Sequence, residues 1–224
     1  MQQLASLLLI ALQVFQGSVF GLVDQTNLGG NLYLVNRTYR LSENYIPPDL
    51  VTLQVRRASG NIKMRSEAAG MLEKLFEEAA KNGHQLVAVS GFRSYETQRL
   101  IYRRKIRTTG SEDKARLWVA PPGASEHQLG LAIDLGRKSS NNLNASFGKS
   151  KEGQWVRENA HRFGFILRYQ SRWTDITGYA DEPWHFRYVG VEHAAVIFER
   201  DIPLETYIRE LSEIMFGELY SNAD

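Results

Sequence analysis

The chain has 224 residues, 43% of them hydrophobic and 23% charged, an ordinary globular mixture that can bury a sizeable core and excludes a disordered chain. Its 27 lysines and arginines nearly balance 25 acidic residues, and the net charge of +2 argues against strong electrostatic capture of nucleic acid. There is no cysteine, so disulfides, thiolate metal sites and a cysteine nucleophile are all excluded, and any metal must be held by histidine and carboxylate.

Residues 1–23 carry no charged side chain, and Leu4 to Phe15 is almost continuously apolar. This matches the apolar region of a secretory signal or an uncleaved N-terminal anchor, with Val19-Phe20-Gly21 as a small-residue cleavage site; no Lys or Arg precedes the apolar run. The expectation is an exported chain of the periplasm or cell envelope, with membrane association through this segment. Residues 24–31 read as a polar linker containing glycine, and 32–224 as one domain. Leu32 to Val35 is strand-like, and the prolines within Tyr45 to Leu50 exclude a helix and leave a segment that wraps over the surface.

Arg65 to Gly83 places Ala68, Leu72, Leu75, Phe76 and Ala79 at helical spacing and stops at Asn82-Gly83. Gln85 to Ser90 reads as a buried strand, and Ser94 caps the next helix. That helix carries a basic run from Arg99 to Arg107, including Arg103, Arg104 and Lys105, read as a solvated face with weak anion contact as the lesser reading. Further helices are predicted over Ser111 to Trp118, Trp155 to Phe163, Val191 to Arg200 and Leu204 to Phe216. Strands are predicted over Leu129 to Leu135, Phe165 to Leu167 and His185 to Val189. A few strands among helices, without strict alternation, give an α+β domain with a small, mostly antiparallel sheet flanked by helices.

Two short stretches carry the chemistry. Ser125 to Asp134 contains His127 and Asp134, and Glu182-Pro183-Trp184-His185 supplies a second imidazole. Two histidines and a carboxylate make a three-ligand set for zinc, and a catalytic zinc keeps a fourth position for water. Glu182, held extended by Pro183, is placed to take a proton from that water. In the strand expected from Leu129, alternation sets Leu129, Leu131, Ile133 and Leu135 on one face and Gly130, Ala132 and Asp134 on the other. His127 then has the wrong parity to meet Asp134, so the chain must turn or bulge near Gln128. His84, His161 and His193 are read as ordinary core or surface histidines.

The patterns SxHxxGxAxD at Ser125 to Asp134 and ExWH at Glu182 to His185, with Ser90-Gly91-Phe92-Arg93-Ser94 upstream, resemble the VanY-type D-alanyl-D-alanine carboxypeptidases. These belong to a wider zinc-peptidase group that includes lysostaphin-like enzymes and hedgehog domains. The resemblance spans roughly Leu34 to Phe216. It implies a hedgehog/DD-peptidase-like fold and one Zn2+ ion on His127, Asp134 and His185. Glu182 is implied as general base, Arg93 as the cation steadying the scissile carbonyl, and Ser125 as a substrate contact; Gln98 and Trp184 join as further candidates. The implied enzyme is a zinc metallocarboxypeptidase acting on peptidoglycan stem peptides, first of all a D,D-carboxypeptidase releasing terminal D-alanine. An L,D-carboxypeptidase, a D,D-dipeptidase or a stem endopeptidase would use the same site. From another class, a non-catalytic zinc domain would bind cell wall or a protein partner.

Overall fold

A computed structural model describes residues 28–221, with side chains described to residue 215; the apolar segment 1–23 lies outside the described residues. Among the described residues no helix is long and apolar enough to cross a membrane. Strands β1 (Leu50–Thr52) and β2 (Lys63–Arg65) pair antiparallel in a small ribbon. The chain continues into α1 (Ser66–Lys81), whose Ala68, Ala69, Leu72, Leu75 and Ala79 are buried as the helical spacing requires. Each leucine buried there contributes roughly 1.5–3 kcal/mol relative to exposure.

The main sheet has the order β3-β4-β6-β5, antiparallel throughout, from β3 (Leu86–Ser90), β4 (Ala132–Arg137), β5 (Phe165–Leu167) and β6 (His185–Tyr188). Between β3 and β4 run α2 (Tyr95–Thr109) and the short α3 (Glu112–Arg116). Ser94 caps α2 by accepting the Thr97 amide, and Gly110 closes it in the left-handed region. Short α4 (Ala145–Gly148) and α5 (Lys151–Asn159) lead into β5, and α6 (Thr174–Thr177) precedes β6. Two C-terminal helices follow, α7 (Val191–Arg200) and α8 (Leu204–Ser221).

One apolar cluster joins α1 to the sheet through Leu72, Leu75, Leu86, Leu131, Ile133, Leu135 and Phe186. A second joins α7 and α8 to Leu28, Leu32, Leu34 and Val189. The α+β expectation therefore holds. Leu32 to Val35 is not a strand: Gly30–Leu32 is a 3-10 turn, and its leucines are fixed by packing rather than by a ladder. Residues 28–31, expected at the end of a linker, are tied in, with Leu28 fully buried and the Asn31 carbonyl accepting from Arg187. The expected Trp155 to Phe163 helix instead starts at Lys151, where Ser150 caps it, and tightens to a 3-10 turn over Ala160–Phe163 before Gly164.

The strand expected from Leu129 begins only at Ala132. Residues 126–130 form a turn in which Gln128, Leu129 and Gly130 donate their amides to the carbonyls of Ser125, Glu126 and His127. Gly130 makes the turn possible with φ +73°, and a Cβ there would press at 3.0–3.2 Å on Arg65, Leu50 and Pro47. The parity conflict between His127 and Asp134 is thereby removed, because His127 precedes the ladder.

Candidate metal centre

The sheet register brings the first donors together. Asp134 on β4 pairs directly with His185 on β6 and, across a bulge in β3, with Ser90. His127 is delivered by the turn ahead of β4, and its Nδ1 lies 2.7 Å from the Gly91 carbonyl oxygen. That approach depends on Gly91, where a Cβ would fall 2.4 Å from the Lys63 carbonyl oxygen. With Nδ1–H donating to Gly91, His127 Nε2 keeps its lone pair on the Asp134 side, 3.3 Å from Oδ2.

His185 is turned the other way. Its Nδ1 sits 3.1 Å from Asp134 Oδ1, while Nε2 sits 3.3 Å from Glu126 Oε2. His127, Asp134 and His185 thus offer one ligand atom each within 4.8 Å of one another, all three buried. Two imidazole nitrogens and one carboxylate oxygen suit zinc, and a histidine whose second nitrogen is held by a carboxylate is a recurring outer-shell arrangement in metal sites.

Glu126 is the residue the sequence reading missed. Fully buried, it accepts from Arg168 Nε at 2.8 Å and Arg187 NH1 at 3.0 Å as well as facing His185. Arg168 reaches on to Glu205 through both terminal nitrogens, at 2.9 and 2.6 Å, and Arg187 NH2 donates to the carbonyls of Asn31 and Tyr33. Glu126 stands between Ser125 and His127 in the recognised stretch, but the arginines that bury its charge are 42 and 61 residues away. Nothing local in the sequence announces them.

Arg93 projects from the corner after β3. Its Nε donates to Ser90 Oγ at 2.8 Å and its NH2 to Asp134 Oδ2 at 2.5 Å. NH1 has no hydrogen-bond partner among the described residues. Burial opposes ionisation of Asp134, but His127 and Arg93 beside it hold its carboxyl well below the usual carboxylate range. Burial together with Arg93 pushes His127 down to about 4, so it is a neutral donor at pH 7. Burial works against protonating His185, yet its bonds to Asp134 and Glu126 outweigh it and raise that ring to about 9. Glu182, in the turn before β6, lies 3.9 Å from His185 Nδ1, and burial raises it to about 7, a value suited to taking and returning a proton near neutrality.

These groups open onto a cavity of about 740 Å³. Arg93, Gln98, Ser125, His127, Asp134, Glu182, Trp184 and His185 all line it, so the structure gathers every residue singled out from the sequence. Gln98 donates its amide to the Ala120 carbonyl at 2.8 Å, and Trp184 also packs on the main core. Tyr169 and Tyr179 form a wall unforeseen from the sequence, with the Tyr169 ring tilted against the His185 ring at 4.9 Å between centroids. His84, His161 and His193 lie away from the cavity; His193 Nδ1 meets the Tyr207 hydroxyl at 2.8 Å.

A buried two-histidine, one-carboxylate cluster, a raised glutamate and a free guanidinium nitrogen around one cavity define a metal-dependent hydrolase centre. The family model described as VanY, D-alanyl-D-alanine carboxypeptidase, matches residues 61–191. The YodJ protein of Bacillus subtilis (strain 168) is 44% identical over 201 residues, covering 88% of this chain and 73% of that protein. The solved LdcB LD-carboxypeptidase superposes with TM-score 0.74 at 45% identity, covering 79% of this chain and 85% of LdcB. The vancomycin-resistance D,D-pentapeptidase VanY, solved as a mutant in complex with Zn(II), gives TM-score 0.66 at 34% identity, covering 80% and 98%. The chain belongs to the VanY D-alanyl-D-alanine carboxypeptidase family.

Proposed function

We propose that the chain is a zinc carboxypeptidase that releases the terminal D-alanine of peptidoglycan stem peptides, with zinc on His127, Asp134 and His185. The observation that carries this reading is the convergence of those three donors with Glu182 and Arg93 on one cavity. Zinc bound there supplies Lewis-acid polarisation of the scissile carbonyl. Glu182 accepts a proton from the attacking water as the carbon–oxygen bond forms, then hands it to the departing amine as the carbon–nitrogen bond breaks. The free NH1 of Arg93 stabilises the charge that grows on the carbonyl oxygen, while its other nitrogens fix Asp134 and Ser90. Ser125, Gln98 and Trp184 line the space where the substrate chain lies.

Of the cuts that would use this site, two release a single terminal D-alanine. The D,D cut is the sequence-based expectation; the L,D cut draws support from 45% identity to LdcB against 34% to VanY, and we favour it. Incubating defined tri-, tetra- and pentapeptide stems and weighing the products separates them. Loss of one D-alanine from the tetrapeptide marks the L,D cut, and loss from the pentapeptide alone marks the D,D cut. A zinc-loaded protein inert towards every stem would sink both and favour a binding domain. Export to the cell envelope belongs to the same proposal and is motivated by the apolar run in residues 1–23.

A further inference from the structure

The basic run on α2 divides between two cavities. Gln98, Ile101 and Lys105 face the metal centre, whereas Arg99, Tyr102, Arg103 and Ile106 line a separate cleft of about 520 Å³. Arg37, Arg40 and Arg116 complete that cleft, and Glu112 is the one carboxylate among its lining residues, accepting from the Tyr102 hydroxyl at 3.0 Å. Five arginines meet Glu112 in the cleft and Glu96 and Asp113 beside it, an excess of two positive charges, and three of the arginines have no acidic partner among the described residues.

Backbone carbonyls, not acids, hold several of these arginines in place. Arg37 NH2 donates to the carbonyls of Arg116 and Gly178, and Arg40 Nε to the carbonyl of Arg37. Arg37, Arg40 and Arg103 have no ion-pair partner among the described residues, while Arg99 and Arg116 meet Glu96 at 2.6 Å and Asp113 at 3.5 Å within their own helices. The Nε atoms of Arg37 and Arg99 are shut off from water with no acceptor among the described residues. Gathering like charges at one place raises the free energy unless an anion joins them.

We propose that this cleft is a second binding site, for a phosphate-bearing polymer. Guanidinium forks match phosphate oxygens in pairs, which favours phosphate over a point-charge partner. The cleft of about 520 Å³ is far larger than one phosphate group, and Arg37, Arg40 and Arg103 line it without ion pairs, so the ligand that fills it is a segment with several phosphates. The site lies on a different face of α2 from the metal centre and stands whether or not the peptidase reading does.

The test is calorimetric titration of the zinc-loaded full chain at low salt with orthophosphate, pyrophosphate, linear polyphosphate and polyglutamate. Polyphosphate binds, more tightly than pyrophosphate and orthophosphate in turn, and weakens as salt is raised. Arg40→Gln/Arg103→Gln, two exposed side chains without ion pairs, weakens polyphosphate binding roughly tenfold or more, consistent with losing two charge-assisted contacts. Lys74→Gln/Lys81→Gln, the same charge change on α1, leaves it unaltered. The arginine variant keeps the circular dichroism spectrum and melting temperature of the wild type, showing that the fold is intact. Equal binding by both double variants overturns the site, and polyglutamate binding as tightly as polyphosphate overturns the choice of phosphate. Orthophosphate binding as tightly as the chain overturns the polymer.

Discussion

Replacing Glu126 by Gln removes one negative charge from a place that no water reaches. In the native protein that carboxylate faces three partners, Arg168 at 2.8 Å, Arg187 at 3.0 Å and His185 at 3.3 Å. Glutamine keeps the volume and, with its oxygen at the Oε1 position, an acceptor for both arginines, but it removes the charge that balances Arg168 and Arg187 and sets an amide nitrogen against His185 Nε2. Breaking a buried ion pair on one side costs roughly 3–5 kcal/mol, and the retained acceptor places this variant near 3. For a domain of this size that lowers Tm by roughly 6–12 °C. The same change loosens His185 as a donor, and loss of such an outer-shell partner weakens metal binding about 10–100-fold. A melting curve of the metal-free protein reads the first effect, and competition against a chelator of known zinc affinity reads the second. A Glu126→Gln protein that melts within about 2 °C of wild type and holds zinc equally well would refute the role given to this network.

Glu182→Gln keeps the donor set and removes the proton acceptor, so zinc content stays at one per chain while kcat falls by about 10²–10⁴-fold, read by D-alanine release. Because the metal-free His185 is raised to about 9, its protonated form stabilises the fold fully below its unfolded value near 6.5, and this stabilisation is lost as pH rises through 9. Zinc must displace that proton, so titration at pH 7 in buffers of different ionisation heat shows about one proton released per zinc, with apparent affinity rising roughly tenfold per pH unit until about 9. Gly130→Ala forces a side chain into φ +73° against Arg65 and Leu50, costing at least ~1 kcal/mol, and denaturant unfolding detects it as a lowered midpoint.

The sequence carried much of this molecule because its helices declare themselves locally. The spacing of Leu72, Leu75 and Ala79 needs only its own period to place α1, and Ser94 announces α2 through a bond three residues away. The donors were legible for a related reason: histidine and aspartate in close-set patterns have few structural uses together. The boundary at Ala132 was not legible, since Leu129 and Leu131 are apolar enough for a strand and only the φ of Gly130 shows that they belong to a turn. Glu126 was hidden for a deeper reason. A buried carboxylate is explained by its counter-ions, and Arg168, Arg187 and Glu205 are joined to it by the fold alone. The arginine cleft was half visible as a basic run, while Arg37 and Arg40 came to it from far upstream.

The pairing of Asp134 with His185 across β4 and β6 would also give a bound metal ion a part in assembly. A slip of one residue would set His185 opposite Ile133, whose side chain points to the other face, and the donor atoms would no longer meet. A misaligned sheet can still be compact, but it cannot grip the ion. A metal ion held by these three donors would therefore favour chains whose strands have found their proper partners.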